Sequence, residues 1–160
     1  ENALSGLCEA KFDFITVQGD PQVVKAAVKG RGANATKILA VTFLTSLDRK
    51  DLDQNMIKPG AIEALAVSRA EKAILAGADG VIASPKELAL IRKNPFCAKK
   101  IIVTPGIRPM RSAINDQKRV ATPFEALRNG ASYLVIGRPI CQAENPLAAY
   151  KEIKSEISKS

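Results

Sequence analysis

Short apolar runs of strand length alternate with longer amphipathic segments along the chain. The apolar runs are rich in β-branched and aromatic residues, which favours strands. Five strands are predicted, over residues 12–17, 37–42, 79–83, 100–104 and 133–136. Helices are predicted over residues 2–11, 21–29, 62–76 and 146–157, and also after residues 84 and 122.

Local signals mark where the predicted helices begin and end. Ser84-Pro-Lys-Glu87 and Thr122-Pro-Phe-Glu125 each combine a capping residue, a proline at the first helical position and a glutamate at the third. Gly77 is expected to end the helix over residues 62–76. The polar stretch 46–59 and the segment 105–120 carry no such pattern, and the second of these is predicted to be a loop.

Strands and helices that alternate in units of about 30 residues predict a parallel sheet with helices outside it. Two architectures satisfy this α/β pattern: an open doubly wound sheet, or part of a (β/α) barrel. No internal boundary is evident, so residues 1–160 are interpreted as a single domain.

Composition removes several classes of chemistry. The chain contains no histidine, which excludes histidine general bases, Ser-His-Asp triads and most zinc sites, and no metal site is predicted. The formal net charge is +8, but aromatic residues make up only 4% and tryptophan is absent. Nucleic acid therefore stays an alternative partner that we do not expect, because base-stacking side chains are scarce.

Compartment and membrane association follow from simple counts. No apolar run reaches the roughly 18 residues that span a bilayer, so no membrane partner is predicted. The three cysteines, Cys8, Cys97 and Cys141, are widely spaced and odd in number. That pattern is typical of a reducing, cytoplasmic location rather than a disulfide framework.

In both architectures ligands bind at the carboxyl ends of the strands, and polar residues follow all five predicted strands there. These candidates are Gln18, Gly19, Asp20, Thr42, Thr45, Ser46, Ser84, Thr104, Pro105, Gly106, Arg108, Gly137 and Arg138. A glycine N–H and an arginine in the last two loops suit a phosphate ester. An ordinary turn with a solvated arginine explains that spacing equally well.

The same region carries a family resemblance. The segments are Ile102-Val-Thr-Pro-Gly-Ile-Arg-Pro109, Asp116-Gln-Lys-Arg119, Thr122-Pro123 and Tyr133-Leu-Val-Ile-Gly-Arg-Pro139. In order and spacing they resemble the C-terminal signature of orotidine 5'-phosphate decarboxylases. Residues 40–46 resemble the fifth strand of that family and residues 79–84 the sixth, and the likeness runs from about residue 12 to the end.

The resemblance implies a fold and a reaction. Members are dimeric (β/α)8 barrels that convert orotidine 5'-phosphate to uridine 5'-phosphate and carbon dioxide in pyrimidine biosynthesis, without metal or organic cofactor. This chain is accordingly expected to be an incomplete (β/α)8 TIM-type barrel with five parallel strands. It would lack the first three βα units of the family.

The resemblance also implies roles for individual residues. Gln117 and Arg138 would bind the phosphate of the nucleotide, helped by the Gly137 N–H. Arg108 would stand at the mouth of the phosphate loop, and Thr45 would hydrogen-bond the pyrimidine ring.

Two departures from the family pattern matter for function. The D-x-K-x-x-D motif that carries the catalytic lysine on the family's third strand has no counterpart on a strand here. Asp48-Arg-Lys-Asp51-Leu-Asp53 follows the predicted 37–42 strand instead and is expected to be a solvated loop. In addition, Gln18-Gly19 stands where the family usually has a histidine followed by a small residue.

These departures leave several readings open. No catalytic residue is assigned, and the chain alone is expected to be inactive. A non-catalytic nucleotide- or phosphate-binding remnant of the family is the alternative, and a sugar-phosphate barrel is a weaker one. Because five strands cannot close an eight-stranded barrel, homodimerisation or another self-association is expected to cover the open edges.

Overall fold

The computed structural model describes residues 1–109 and 119–158, and strands and helices alternate through both ranges. The strands are β1 (Phe14–Gln18), β2 (Lys37–Val41), β3 (Gly80–Ile82), β4 (Ile101–Thr104) and β5 (Tyr133–Leu134). The helices are α1 (Asn2–Glu9), α2 (Pro21–Arg31), α3 (Arg49–Gln54), α4 (Ile62–Leu75), α5 (Leu88–Lys93), α6 (Pro123–Arg128), α7 (Arg138–Cys141) and α8 (Pro146–Ser158).

The five strands form one parallel sheet in the order β1-β2-β3-β4-β5. Doubly wound sheets reverse their strand order at a switch point, whereas barrels add each strand beside the previous one. The prediction of five parallel strands of TIM type is therefore confirmed, and the doubly wound alternative is wrong. Within the described residues the barrel is not closed, since β1 and β5 each pair with a single strand.

Alternate residues of the strands face the helices. Ile38, Val81 and Ile102 are fully buried and pack in clusters with helical side chains. Full burial of an aliphatic side chain contributes about 1.5–3 kcal/mol, so this layer is the main source of stability. In α4 three of the five buried positions are alanines, which allow the helix to approach the sheet closely.

The opposite face of the sheet is concave and partly open. Phe14 begins β1 and Tyr133 begins β5, and their ring centroids lie 5.3 Å apart in an edge-on contact. The sheet therefore curls until its two outer strands meet at their amino ends. Towards the carboxyl ends Val135 is half exposed, so that side of the concave face stays open.

Three local predictions need correction. Residues 48–53, expected to be a solvated loop, are the N-cap and the first five residues of α3, because Asp48 caps the helix and Leu52 is buried beneath it. The helix expected directly after Ser84 begins only at Leu88, following a turn. Residues 135–136, expected to extend the last strand, lie outside β5.

Candidate functional site

The loops that follow β2 and β4 meet at Gly106. Its φ of +76° belongs to the left-handed region that favours glycine. A Cβ added there would lie 2.9 Å from the Arg119 carbonyl oxygen and 3.2 Å from Cγ2 of Thr45. Thr45 itself is only 5% exposed. Glycine at position 106 therefore lets the β2 and β4 loops and the segment entering α6 pack together.

Arg108 lies at the base of the segment between β4 and α6. Its main-chain N–H donates to the Ala121 carbonyl at 2.9 Å, and Ala121 N–H donates to the Gly106 carbonyl at 3.4 Å. The Arg108 side chain is buried, and its Nη1 donates to the Ile107 carbonyl at 2.8 Å. This short parallel pairing fixes Arg108 beside the chain that leads into α6.

A buried ion pair completes this side of the site. Glu87 is fully buried, with Oε2 accepting from Ser84 N–H at 3.0 Å and Oε1 accepting from Nη1 of Arg119. The other terminal nitrogen of Arg119 donates to the Leu44 carbonyl at 2.8 Å. Burial lowers the pKa of Arg119 from its ordinary value, and the negative charge of Glu63 acts in the opposite direction.

Sequence reasoning did not find this pair. It identified Glu87 only as a cap residue and Arg119 only as part of a family segment. The available signal was the position of Glu87 three residues after Ser84. It predicts that one carboxylate oxygen accepts from Ser84 N–H, and it gives no partner for the other oxygen.

Gly137 and Arg138 lie at the same edge of the sheet. Val135 N–H donates to the Thr104 carbonyl at 2.9 Å, which keeps the chain beside β4 beyond the end of β5. A Cβ added at Gly137 would meet no atom within 4 Å, so the backbone there faces open space. Arg138 begins the one-turn helix α7 and is partly buried.

The predicted binding residues are thus partly brought together. Thr45, Arg108, Gly137 and Arg138 all follow the carboxyl ends of strands in one parallel sheet, and Thr45 packs against Gly106. Gln117, the predicted phosphate ligand, lies outside the described residues.

Other strand-end candidates have structural roles. The Thr42 hydroxyl donates to the Ile82 carbonyl at 3.0 Å, which ties β2 to β3. Asp20 pairs with Arg69 at 3.0 Å, and the Arg69 guanidinium lies 5.3 Å from the Phe43 ring centroid. These contacts tie the loops after β1 and β2 to α4.

Residues 48–53 have the spacing of the family's D-x-K-x-x-D motif but not its setting. Asp48 accepts from Asp51 N–H at 3.1 Å, and Asp51 accepts from Asp48 N–H at 2.9 Å. Asp53 pairs with Arg49 at 2.8 Å, while Lys50 is exposed. These carboxylates cap and stabilise α3 and do not converge on the lysine.

Neither a metal site nor a membrane-spanning helix occurs within residues 1–109 and 119–158. There, no three His, Cys, Asp or Glu side chains come together in a way that would hold a metal ion. Nor does that part of the chain include a helix with the length and apolar character needed to cross a membrane.

A parallel sheet in sequence order, with helices on one face and polar loops gathered at its carboxyl edge, defines a protein of the TIM-type barrel class. Within that class the chain belongs to the orotidine 5'-phosphate decarboxylase / HUMPS family, whose model matches residues 1–153. The match includes α1, which precedes the region where the sequence resemblance was expected to begin.

Individual relatives support the same family assignment. The chain is 53% identical over 157 residues to the orotidine 5'-phosphate decarboxylase of Cereibacter sphaeroides, covering 98% of this chain and 68% of that protein. It is 52% identical over 158 residues to the enzyme of that name from Ruegeria pomeroyi, covering 99% and 66%. The chain thus spans about two thirds of the length of these relatives.

A solved structure of the same name, from Lactobacillus acidophilus, matches with a TM-score of 0.79 and 35% identity. The match covers 98% of this chain and 68% of that one. It agrees with the fold assignment made from the strand order.

Proposed function

We propose that this chain forms the nucleotide-holding part of an orotidine 5'-phosphate decarboxylase and binds a pyrimidine nucleoside 5'-monophosphate at the carboxyl edge of its sheet. The observation that carries the proposal is the packing of Thr45 against Gly106, beside Arg108, on the edge that also carries Gly137 and Arg138. Family membership supplies the ligand class.

Each proposed role rests on the chemistry of the residue. An arginine can pair with two phosphate oxygens at once, which suits Arg138, and the open backbone at Gly137 leaves room for a phosphate oxygen to approach. The Thr45 hydroxyl would hydrogen-bond the pyrimidine ring, and Arg108 would stand at the mouth of the phosphate site. Gln117 would be a further phosphate ligand.

We also propose that these 160 residues correspond to the fourth to eighth βα units of the family. Alone, they would bind the nucleotide without catalysing its decarboxylation. Loss of carbon dioxide leaves a carbanion that needs a positioned proton donor. Lys50 is exposed, and the aspartates around it serve α3, which argues against a displaced catalytic motif. Binding the phosphate would supply energy for closing and positioning the substrate when the missing groups are present.

The binding proposal is tested by Arg138→Ala. We expect the dissociation constant for uridine 5'-phosphate, measured by titration calorimetry, to rise about tenfold or more, since a charge-assisted pair to phosphate is lost. Arg128→Ala is the matched control, because Arg128 is exposed at the end of α6. Equal affinity in the wild-type and Arg138→Ala proteins would reject the site.

The absence of turnover is tested by following the absorbance of orotidine 5'-phosphate. No loss of substrate above the uncatalysed rate is expected from these residues alone. Turnover at an enzyme-like rate of about 1 per second would instead mean that a proton donor is present, and the non-catalytic part of the proposal would fall.

Self-association belongs to the same proposal. β1 and β5 expose an edge each, and Tyr133 and Val135 are half exposed on the concave face. Light scattering should then give a mass above the 17.1 kDa of one chain. A monomeric mass at all concentrations would reject self-association and leave the binding proposal intact.

A further inference from the structure

We propose that Glu87 and Arg119 are positioning residues that hold the ring-binding and phosphate-binding sides of the nucleotide site at a fixed separation. This inference rests on the proposed function. Neither residue is assigned a contact with the nucleotide, and both act through the segments that carry Thr45 and Arg108.

The Arg119 guanidinium bridges two loops. One terminal nitrogen donates to Oε1 of Glu87, at the start of α5, and the other donates to the carbonyl of Leu44. Leu44 directly precedes Thr45, the residue proposed to contact the pyrimidine ring. Moving the guanidinium would therefore move the peptide that positions the Thr45 side chain.

The main chain of Arg119 reaches the phosphate side. Its carbonyl oxygen lies so close to Gly106 that a Cβ there would come within 2.9 Å. Two residues later, Ala121 exchanges hydrogen bonds with Gly106 and Arg108. Arg119 thus contacts the segments that follow β2, β3 and β4, with Glu87 fixing its side chain.

The energetics favour a geometric role over simple stabilisation. The two side chains are only 5% and 0% exposed, so both charges have lost their hydration. Replacing a buried ion pair by uncharged residues of similar size is often neutral or stabilising, so such a pair is poor evidence of a stability requirement. Its directional hydrogen bonds instead specify one arrangement of the three loops.

The test uses the double variant Glu87→Gln/Arg119→Met, which removes both charges together and keeps an acceptor for Ser84 N–H. The matched control is Arg31→Met/Asp79→Asn, which neutralises the ion pair at the amino end of β3 and keeps an acceptor for Ile38 N–H. Affinities for uridine 5'-phosphate and for inorganic phosphate are measured on both, and folding is followed by circular dichroism.

We expect the test variant to fold and to bind uridine 5'-phosphate at least tenfold more weakly than wild type. Its affinity for inorganic phosphate should change less than twofold, because phosphate alone engages one side of the site and does not depend on the separation. The control should keep both affinities.

Several outcomes overturn the inference. These are unchanged nucleotide affinity in the folded test variant, equal losses for nucleotide and phosphate, an equal loss in the control, or failure of the test variant to fold. If the wild-type protein binds no uridine 5'-phosphate at all, the proposed function itself is rejected, which is a distinct result.

Discussion

Two arginine–carboxylate pairs lie at opposite ends of β3 and differ in what they hold. Arg31 and Asp79 pair at 2.6 Å at the amino end, with side chains 18% and 25% exposed. Arg119 and Glu87 pair at the carboxyl end and are almost wholly buried. The charges are the same, but the second pair has lost far more of its hydration.

The two pairs also hydrogen-bond different parts of the backbone. Asp79 also accepts from the N–H of Ile38 at 2.8 Å and donates its own N–H to the Ile38 carbonyl, so the amino-end pair aligns β2 with β3. The carboxyl-end pair bonds loop peptides at Ser84 and Leu44. The ion pair at the amino end of the sheet therefore aligns strands, and the pair at the carboxyl end fixes loops around the candidate site. This agrees with barrels in general, where the amino face serves stability and the carboxyl face carries the active site.

The largest predicted effect tests the cost of the buried pair. Glu87→Gln leaves Arg119 as a buried charge without its counter-charge, so the free energy of unfolding should fall by about 3–5 kcal/mol. Urea denaturation measures it. A loss below about 1 kcal/mol would show that water reaches the Arg119 guanidinium. The two ion pairs would then differ less in hydration than the burial of their side chains indicates.

A second prediction compares two glycines. Gly106 has φ +76° at the carboxyl edge, and Gly77 has φ +105° after α4, on the side where β3 begins. Alanine at either position should cost about 2 kcal/mol of unfolding free energy, because both conformations strain a Cβ. Calorimetry should show weaker uridine 5'-phosphate binding only for Gly106→Ala; a similar loss with Gly77→Ala would contradict the proposed separation of roles.

A third prediction concerns the amino-end pair itself. Asp79→Asn keeps a hydrogen-bond acceptor but loses its charge, and the pair is partly hydrated, so the cost should be about 1–1.5 kcal/mol. Nucleotide affinity should stay within twofold of wild type. A destabilisation equal to that of Glu87→Gln, measured in the same denaturation series, would remove the contrast.

The smallest predicted effect concerns an exposed helix start. The Thr122 N–H and hydroxyl both donate to Glu125 at 2.9 Å and hold the pKa of that carboxyl below its ordinary value of 4.5. The ionised form is thus favoured by folding, so this stabilisation is present above pH 4.5 and is lost as the pH falls through the lowered pKa.

Thr122→Ala should accordingly cost about 0.5–1 kcal/mol at pH 7. The difference from wild type should shrink as denaturation is repeated at lower pH. A constant difference across pH 7 to 3 would mean that the bond from the Thr122 hydroxyl does not depend on the charge of the Glu125 carboxylate.

Interactions within a few residues were predictable from sequence. The strand predicted over residues 37–42 from its apolar centre is confirmed over Lys37–Val41. The capping box at Thr122 and Glu125, which are three residues apart, is confirmed as well. The α3 helix was missed because the polar composition of residues 46–59 hid the cap at Asp48.

Interactions across the fold were not predictable in this way. Glu87 and Arg119 are separated by 32 residues, and the capping signal at Ser84 gave no reason to bury the second carboxylate oxygen. Thr45 and Arg108 could be nominated because parallel strands share one carboxyl edge, but the glycine contact that joins their loops depends on a backbone angle that sequence does not display.

The ring contact between Phe14 and Tyr133 has a spectroscopic consequence. The chain contains no tryptophan and two tyrosines, so its near-ultraviolet emission comes from Tyr133 and Tyr150. Any polypeptide that inserts between the outer strands must first separate the two rings and give up a contact worth about 1 kcal/mol. A change in tyrosine emission that is absent from a Tyr133→Phe protein would therefore report the insertion of a polypeptide between β1 and β5.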